Sequence, residues 1–276
     1  MIRIQSVHFV EDWIDIQEKS FEKYITEPYL VYTRLPDNVE EAGVKTASGG
    51  VIPKPHFEKN KNRFHLSVRG AQRIAETTGV VLRAMDNEGD IQDDDLIIIM
   101  DADCLPISKD FIPHIRTYLD KTPIVMACEP EHEHQLVRMP HPFFVAFKGK
   151  TLHEKDSEGN SLMKCLSTRV EISGNWWGLL MNWHDEKGVT TIERTNIVNL
   201  HPLYYGIYDD VLYHHWAGSR KMITRPDRRR VAKTGEDLEL IAQENFEQSK
   251  GVMLQLTNQS DTFMNYLMGN YDGELQ

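Results

Sequence analysis

Two carboxylates one residue apart, Asp101 and Asp103, follow directly on the apolar run Leu96-Ile97-Ile98-Ile99-Met100. Carboxylates are hard oxygen ligands, and two of them at the carboxyl end of a strand suit Mg²⁺ or Mn²⁺ bound to a diphosphate. Elsewhere the chain offers further groups able to do chemistry. His214 and His215 stand together in Tyr213-His214-His215-Trp216-Ala217-Gly218-Ser219-Arg220, and a basic cluster follows in Arg220, Lys221, Arg225, Arg228, Arg229 and Arg230. Such a cluster can neutralise a diphosphate, and Gly218-Ser219 would let main-chain amides approach one. Trp176, Trp177 and Trp183 lie near Glu171, Asn175 and His184. Indoles stack on the apolar faces of sugars, and a carboxylate nearby can take the proton from an attacking hydroxyl. Glu171 is the candidate base, with Asp209 and Asp210 as competitors. Glu131-His132-Glu133-His134 could place two imidazoles on one strand face, although such a pattern is more often a surface turn.

The elements around these residues decide what they can do. A run with no polar member before Asp101 predicts a central parallel strand covered on both faces. Before it, Ile2 to Phe9 reads as a first strand, Trp13 to Ile25 as a helix with Ile14, Phe21 and Ile25 on one face, and Tyr29 to Thr33 as a second strand. Asn38 to Lys61, rich in Gly, Pro, Lys and Asn, reads as a long loop. Phe64, Val68, Ala71 and Ala75 recur at helical spacing and predict a helix over Asn62 to Thr78. After Asp103, Ser108 is placed to cap a helix carrying Phe111, Ile115 and Tyr118, and Ile124 to Cys128 follows as a strand. Further on, Phe143 to Phe147 reads as a strand, Lys155 to Asn160 as a polar turn, and Ser173 to Gly178 as a loop leading into a helix. The tail from Gly235 is helical in pattern, with Leu238, Ile241, Phe246 and Met253 as apolar contacts.

Composition narrows the possibilities. With 276 residues, 40% of them hydrophobic, one large domain is the expectation, and the net charge of −11 disfavours a nucleic-acid binder. Cys104, Cys128 and Cys165 have no metal-ligand spacing and do not form a disulfide framework, which predicts a reducing, cytoplasmic setting. No apolar run approaches the ~20 residues of a transmembrane segment.

Taken in order, the strand-helix-strand opening, the apolar strand ending in Asp101-Ala102-Asp103, the aromatic middle and the late His-His-x-x-Gly-Ser-Arg resemble a nucleotide-sugar-dependent glycosyltransferase of the GT-A fold, similar to family 2. The resemblance covers roughly residues 1 to 225. It implies an α/β fold with a central, mostly parallel sheet flanked by helices. Residues 1–230 would be the catalytic domain, with a nucleotide-sugar half over 1–107 and an acceptor half over 108–230, and residues 231–276 a helical extension. It also implies Asp103 as principal metal ligand, Asp101 as its partner and a contact to the donor, and His214 or His215 as third ligand. Neighbouring residues on an extended segment face opposite ways, so one histidine at most meets the metal, with a marginal preference for His215. An imidazole in the set favours Mn²⁺ over Mg²⁺.

Family position, not chemistry, nominates Tyr32, Arg34, Arg63, His65 and Arg69 as nucleotide contacts, beside Ser219 and Arg220. The expected partners are a UDP-, GDP- or dTDP-sugar donor and a glycan, lipid or protein acceptor. A sugar-nucleotide pyrophosphorylase or other nucleotidyltransferase is second choice, because Val7-His8-Phe9-Val10-Glu11 stands where its glycine-rich loop belongs. Phosphatases that use Asp-x-Asp carry it near the N-terminus and continue it differently. A carbohydrate-binding protein without activity would need neither carboxylate.

Overall fold

A computed structural model describes residues 1–7, 12–35, 43–45, 51–53, 58–60, 63–67, 82, 91–129, 139–167, 183, 185–196, 206–215 and 231–258. Chain contacts define two compact units, both discontinuous in sequence. One comprises Met1–Phe9, Glu27–Asp101 and Ile112–Ile192; the other comprises Val10–Thr26, Ala102–Phe111 and Glu193–Gln276. The fold is mixed α/β.

The first unit is built on an eight-stranded sheet. Its strands in chain order are β1 (Ile2–Val7), β2 (Tyr29–Leu35), β5 (Glu58–Asn60), β6 (Arg63–Ser67), β7 (Leu96–Asp101), β9 (Ile124–Glu129), β10 (Met139–Lys148) and β11 (Val189–Glu193), with the short hairpin β3 (Gly43–Lys45) and β4 (Val51–Pro53) forming a sheet of its own. The spatial order is β11-β9-β10-β7-β1-β2-β6-β5. Its middle, β7-β1-β2-β6, is parallel throughout, and antiparallel strands extend both sides. The apolar run Leu96 to Met100 is buried residue by residue, as a strand covered on both faces requires. On one face Ile97 and Ile99 join Tyr32, Ile124, Met126, Val145, Phe147 and Trp183, closed over by Leu152 and by Leu162, Cys165 and Leu166 of the short helix α3 (Leu162–Ser167). On helix α2 (Phe111–Leu119), the residues at helical spacing, Phe111, Ile112, Ile115 and Leu119, are buried. Ser108 accepts the Asp110 N–H at 3.1 Å just ahead of it.

One charged pair is buried inside this apolar layer. Arg3 Nε donates to Asp95 Oδ2 at 2.7 Å, and its guanidinium also donates to the Tyr32 hydroxyl at 2.8 Å. Burial is the largest single influence and opposes both charges, but their mutual hydrogen bond, with Tyr32 on Arg3 and the Gln92 N–H and the N-terminal ammonium on Asp95, together outweighs it, holding the Asp95 carboxyl below its usual range and the Arg3 guanidinium above.

The second unit contains helix α1 (Asp12–Tyr24), a three-stranded antiparallel sheet of β12 (Gly206–Tyr208), β13 (Leu212–His214) and β8 (Cys104–Pro106), and helix α4 (Leu238–Asn258). Helix α1 packs on β8 and on α4. Its inner face is not wholly apolar: Gln17 donates to the Cys104 carbonyl at 3.1 Å and the Ser20 hydroxyl to the Pro106 carbonyl. These two side chains satisfy carbonyls along β8. Asp237 caps α4 by accepting the Glu239 N–H at 2.9 Å.

Several expectations are corrected. Residues 63–67 form a strand, not the start of a helix, because the free edge of β2 accepts them in register from Val31↔Arg63 to Leu35↔Ser67; the rest of that predicted helix lies outside the described residues. The loop expected over 38–61 contains three short strands instead. Strand β7 is parallel only to β1 and runs antiparallel to β10. In the tail, Ile241 is buried as expected, but Leu238 is 39% exposed. The polar turn at 155–160 is present, with Asp156 Oδ1 accepting the Asn160 N–H at 2.7 Å and Gly159 at φ +79°. The segments 131–134, 173–178 and 216–230 lie outside the described residues.

Candidate metal centre

Strand β7 ends at Asp101, the first half-exposed residue after five buried ones. Ala102 and Asp103 form a turn, and at Cys104 the chain enters the three-stranded sheet. There β8 pairs with β13 in the register Leu212↔Pro106, Tyr213↔Leu105 and His214↔Cys104, and the His215 N–H donates to the Asp103 carbonyl at 2.9 Å. That ladder brings the histidine pair, over a hundred residues downstream, back to the Asp-x-Asp turn. One donor atom each from Asp101, Asp103 and His214 lies within 4.8 Å of the others.

The donor set fits a divalent cation. Asp103 is 2% exposed, and its Oδ2 has no hydrogen-bond partner, a costly state for a buried carboxylate oxygen. His214 Nε2 stands 3.5 Å from Asp103 Oδ1, within ion-pair range but too long for a normal hydrogen bond, and has no hydrogen-bond partner. Burial alone would raise the Asp103 carboxyl, yet the His214 and His215 imidazoles hold it down at about 2. Asp103 is therefore ionised and ready to ligate at neutral pH. Two carboxylates and an imidazole suit Mn²⁺, Mg²⁺ or a related ion that retains water and phosphate in its remaining positions.

Of the two histidines, the structure groups His214 with the carboxylates, not the slightly preferred His215. His215 is also buried, but its Nδ1 lies 2.7 Å from the Tyr213 hydroxyl. Strand alternation separated the two imidazoles without saying which faces Asp103. The deciding feature is that Asp103 sits in a turn, where alternation no longer fixes the direction of its side chain. Tyr213, which holds His215 beside the candidate site, was not among the expected residues. Its spacing of two from His215, which puts both on one strand face, was the available signal.

Of the other expected site residues, Tyr32, Arg34, Arg63, His65 and Asp210 lie among the described residues. Tyr32 is buried and its hydroxyl accepts from Arg3, so it is a core residue. In backbone register, Arg34 lies opposite Val7 at the end of β2, and Arg63 and His65 lie opposite Val31 and Thr33. Asp210 sits at the turn of the β12–β13 hairpin, at the far end of β13 from His214, with φ +58°. Its carboxylate accepts from the Thr195 hydroxyl at 2.6 Å. Glu171, Arg69, Ser219 and Arg220 lie outside the described residues. A shallow cavity of about 290 Å³ lined by Lys121, Thr122, Lys148 and Glu154 occupies the opposite end of the sheet from Asp101, where Lys148 pairs with Asp120 at 2.9 Å. It shares no residue with the metal centre.

No protein-family model and no curated protein matches the chain. Among solved structures it is similar to a candidate nucleotide-diphospho-sugar transferase from Desulfovibrio desulfuricans, at 6% identity over 91% of this chain and 97% of that one, with a TM-score of 0.42. It is also similar to the 2-C-methyl-D-erythritol 4-phosphate cytidylyltransferase of Francisella tularensis (10% identity, 70% of this chain and 90% of that one, TM-score 0.41). A third is a galactosyltransferase, LgtC, solved with donor and acceptor sugar analogues (13% identity, 70% and 73%, TM-score 0.38). Among the described residues no helix is long and apolar enough to cross a membrane.

Proposed function

We propose that the chain is a metal-dependent glycosyltransferase that moves a sugar from a nucleoside-diphosphate donor to a hydroxyl acceptor. The observation that carries this reading is the grouping of Asp101, Asp103 and His214 donor atoms within 4.8 Å at the end of β7. A divalent ion held there would supply positive charge to a nucleoside-diphosphate leaving group. The ionised Asp103 and the His214 imidazole would hold it, and Asp101 would add a second carboxylate.

The remaining roles follow the resemblance. Arg220 and the Ser219 amide supply positive charge to the donor phosphates, while Arg34, Arg63, His65 and Arg69 contact the nucleotide. Glu171 takes the proton from the acceptor hydroxyl. Asp210 is the weaker candidate for that step, because Thr195 already occupies its carboxylate at the hairpin turn. Mn²⁺ is the preferred ion on account of the imidazole, and the donor is a UDP-, GDP- or dTDP-sugar.

The test is a product assay with Mn²⁺ and each sugar nucleotide, with and without simple glycan acceptors. Release of nucleoside diphosphate and free or transferred sugar is expected. Formation of inorganic diphosphate from a nucleoside triphosphate and a sugar phosphate, with no nucleoside diphosphate released from any donor, would replace this reading by nucleotidyl transfer.

A further inference from the structure

We propose that the Gln5 carboxamide is a specificity residue that reads the base of the nucleoside-diphosphate donor, pairing with a base edge that presents a hydrogen-bond donor beside an acceptor. This inference rests on the donor site proposed above.

Gln5 lies in β1, between β7 and β2, with Ile99 and Tyr32 as its register partners. It is 0% exposed, and neither its Nε2 nor its Oε1 has a hydrogen-bond partner. An amide carries two donors and an acceptor, and each buried group left unmade costs about 1–3 kcal/mol. A methionine of the same length would fill the space without that cost. The neighbouring polar group on the same face offers no relief: the Arg3 side chain is committed to Asp95 and to the Tyr32 hydroxyl, so Tyr32 has turned its polar end towards the row of Arg3. On the other side its register partner, Ile99, is apolar and offers no hydrogen bond.

What lies beyond Gln5 along the strand gives the orphaned amide a use. One pleat further, about 7 Å along the backbone, Val7 is in register with both Asp101 and Arg34. Strand alternation puts Asp101 on the same sheet face as Ile99 and Gln5. The unsatisfied amide therefore occupies the row immediately below a carboxylate of the metal centre, on the same face. A nucleoside tethered to a diphosphate at Asp101 has the length to bring its base to that row. Once bound, the base edge would supply the acceptor and donor that the protein itself withholds, so affinity would depend on which base is offered. A polar residue kept at a stability cost one row from a ligand site is where local rules are expected to yield to function.

The experiment uses the full chain and the Gln5→Met and Gln5→Asn variants. Calorimetry with Mn²⁺ measures binding of uridine, cytidine, guanosine, adenosine and thymidine diphosphates, and of inorganic diphosphate as the baseless probe; thermal unfolding is recorded without ligand. Wild type should bind one base at least tenfold more tightly than the weakest. In Gln5→Met that ratio should fall about tenfold, diphosphate binding should stay unchanged, and the melting temperature should rise. Gln5→Asn, whose amide is one methylene shorter, should fall between and decides the matter if Gln5→Met does not fold. A wild type that binds nucleotides without preference, or variants that keep the full ratio, overturn this inference and leave the proposed function standing. A wild type that binds no nucleotide with Mn²⁺ overturns both.

Discussion

The main-chain N–H of His215 donates to the carbonyl of Asp103 at 2.9 Å, one rung beyond the β8–β13 ladder. This single bond connects two sequence motifs 112 residues apart and leaves the neighbouring His214 imidazole 3.5 Å from the Asp103 carboxylate. The candidate metal centre is thus positioned by main-chain pairing, with α1 bracing the other partner through Gln17 and Ser20. Side chains need only complete it.

The two histidines should be separable by mutation. Asp103→Asn and His214→Ala are each expected to weaken Mn²⁺ binding by more than about a hundredfold, the upper end of what losing an outer-shell partner does. His215→Ala should cost about tenfold or less. Mn²⁺ titration followed by electron paramagnetic resonance reads all three, with circular dichroism to confirm folding. Equal losses for His214→Ala and His215→Ala would show that the pair acts as a unit.

Tyr213→Phe removes the hydroxyl 2.7 Å from His215 Nδ1 and little else. A destabilisation of about 1–2 kcal/mol in urea unfolding is expected, since both groups are buried. An unchanged midpoint would mean that the contact contributes nothing.

Asp103 also predicts how the metal-free protein responds to acid. Its folded pKa, about 2, lies below the free value of 3.8. The unfolded chain therefore takes up the proton first. The stability contributed by the ionised carboxylate is complete above the free value and is lost as pH falls through about 4 towards 2, a loss on the order of 2 kcal/mol. Asp103→Asn lacks this titration, so the stability difference between wild type and variant should shrink between pH 5 and pH 2.5. Urea melts at the two pH values measure it, and a constant difference would refute the assignment of a depressed carboxyl.

Arg3→Met leaves Asp95 buried without its 2.7 Å partner and strips the Tyr32 hydroxyl of a donor. A loss of about 2 kcal/mol is expected, because the buried carboxylate then keeps only the Met1 ammonium at 3.1 Å and the Gln92 N–H at 3.0 Å as partners. Thermal unfolding checks this, and metal affinity should be unaffected. Arg3→Met paired with Asp95→Leu should recover most of the loss.

Much of the frame was legible in the chain. Five apolar residues before Asp101 can hide their side chains only in a strand covered on both faces, and Phe21 in α1 and Phe111 and Ile115 in α2 are buried as their spacing predicts, although Leu119 takes the buried place expected of Tyr118. Strand β6 was not legible. Phe64, Val68, Ala71 and Ala75 fit a helix, while Phe64 and Leu66 fit a strand equally well. The vacant edge of β2 settles residues 63–67 by offering hydrogen bonds that local spacing cannot reveal. Likewise, the Tyr32 hydroxyl reads from sequence as a ligand contact until the buried Arg3 guanidinium appears beside it.

The sequence by itself determined that two carboxylates would stand at the end of a buried strand, because that depends on local periodicity and on the turn that follows. Tertiary structure alone decided which imidazole joins them. Strand alternation separates His214 from His215 without naming the inward one. That choice depends on the register of β13 against β8 and on the turn at Asp103, both of which are set by long-range pairing.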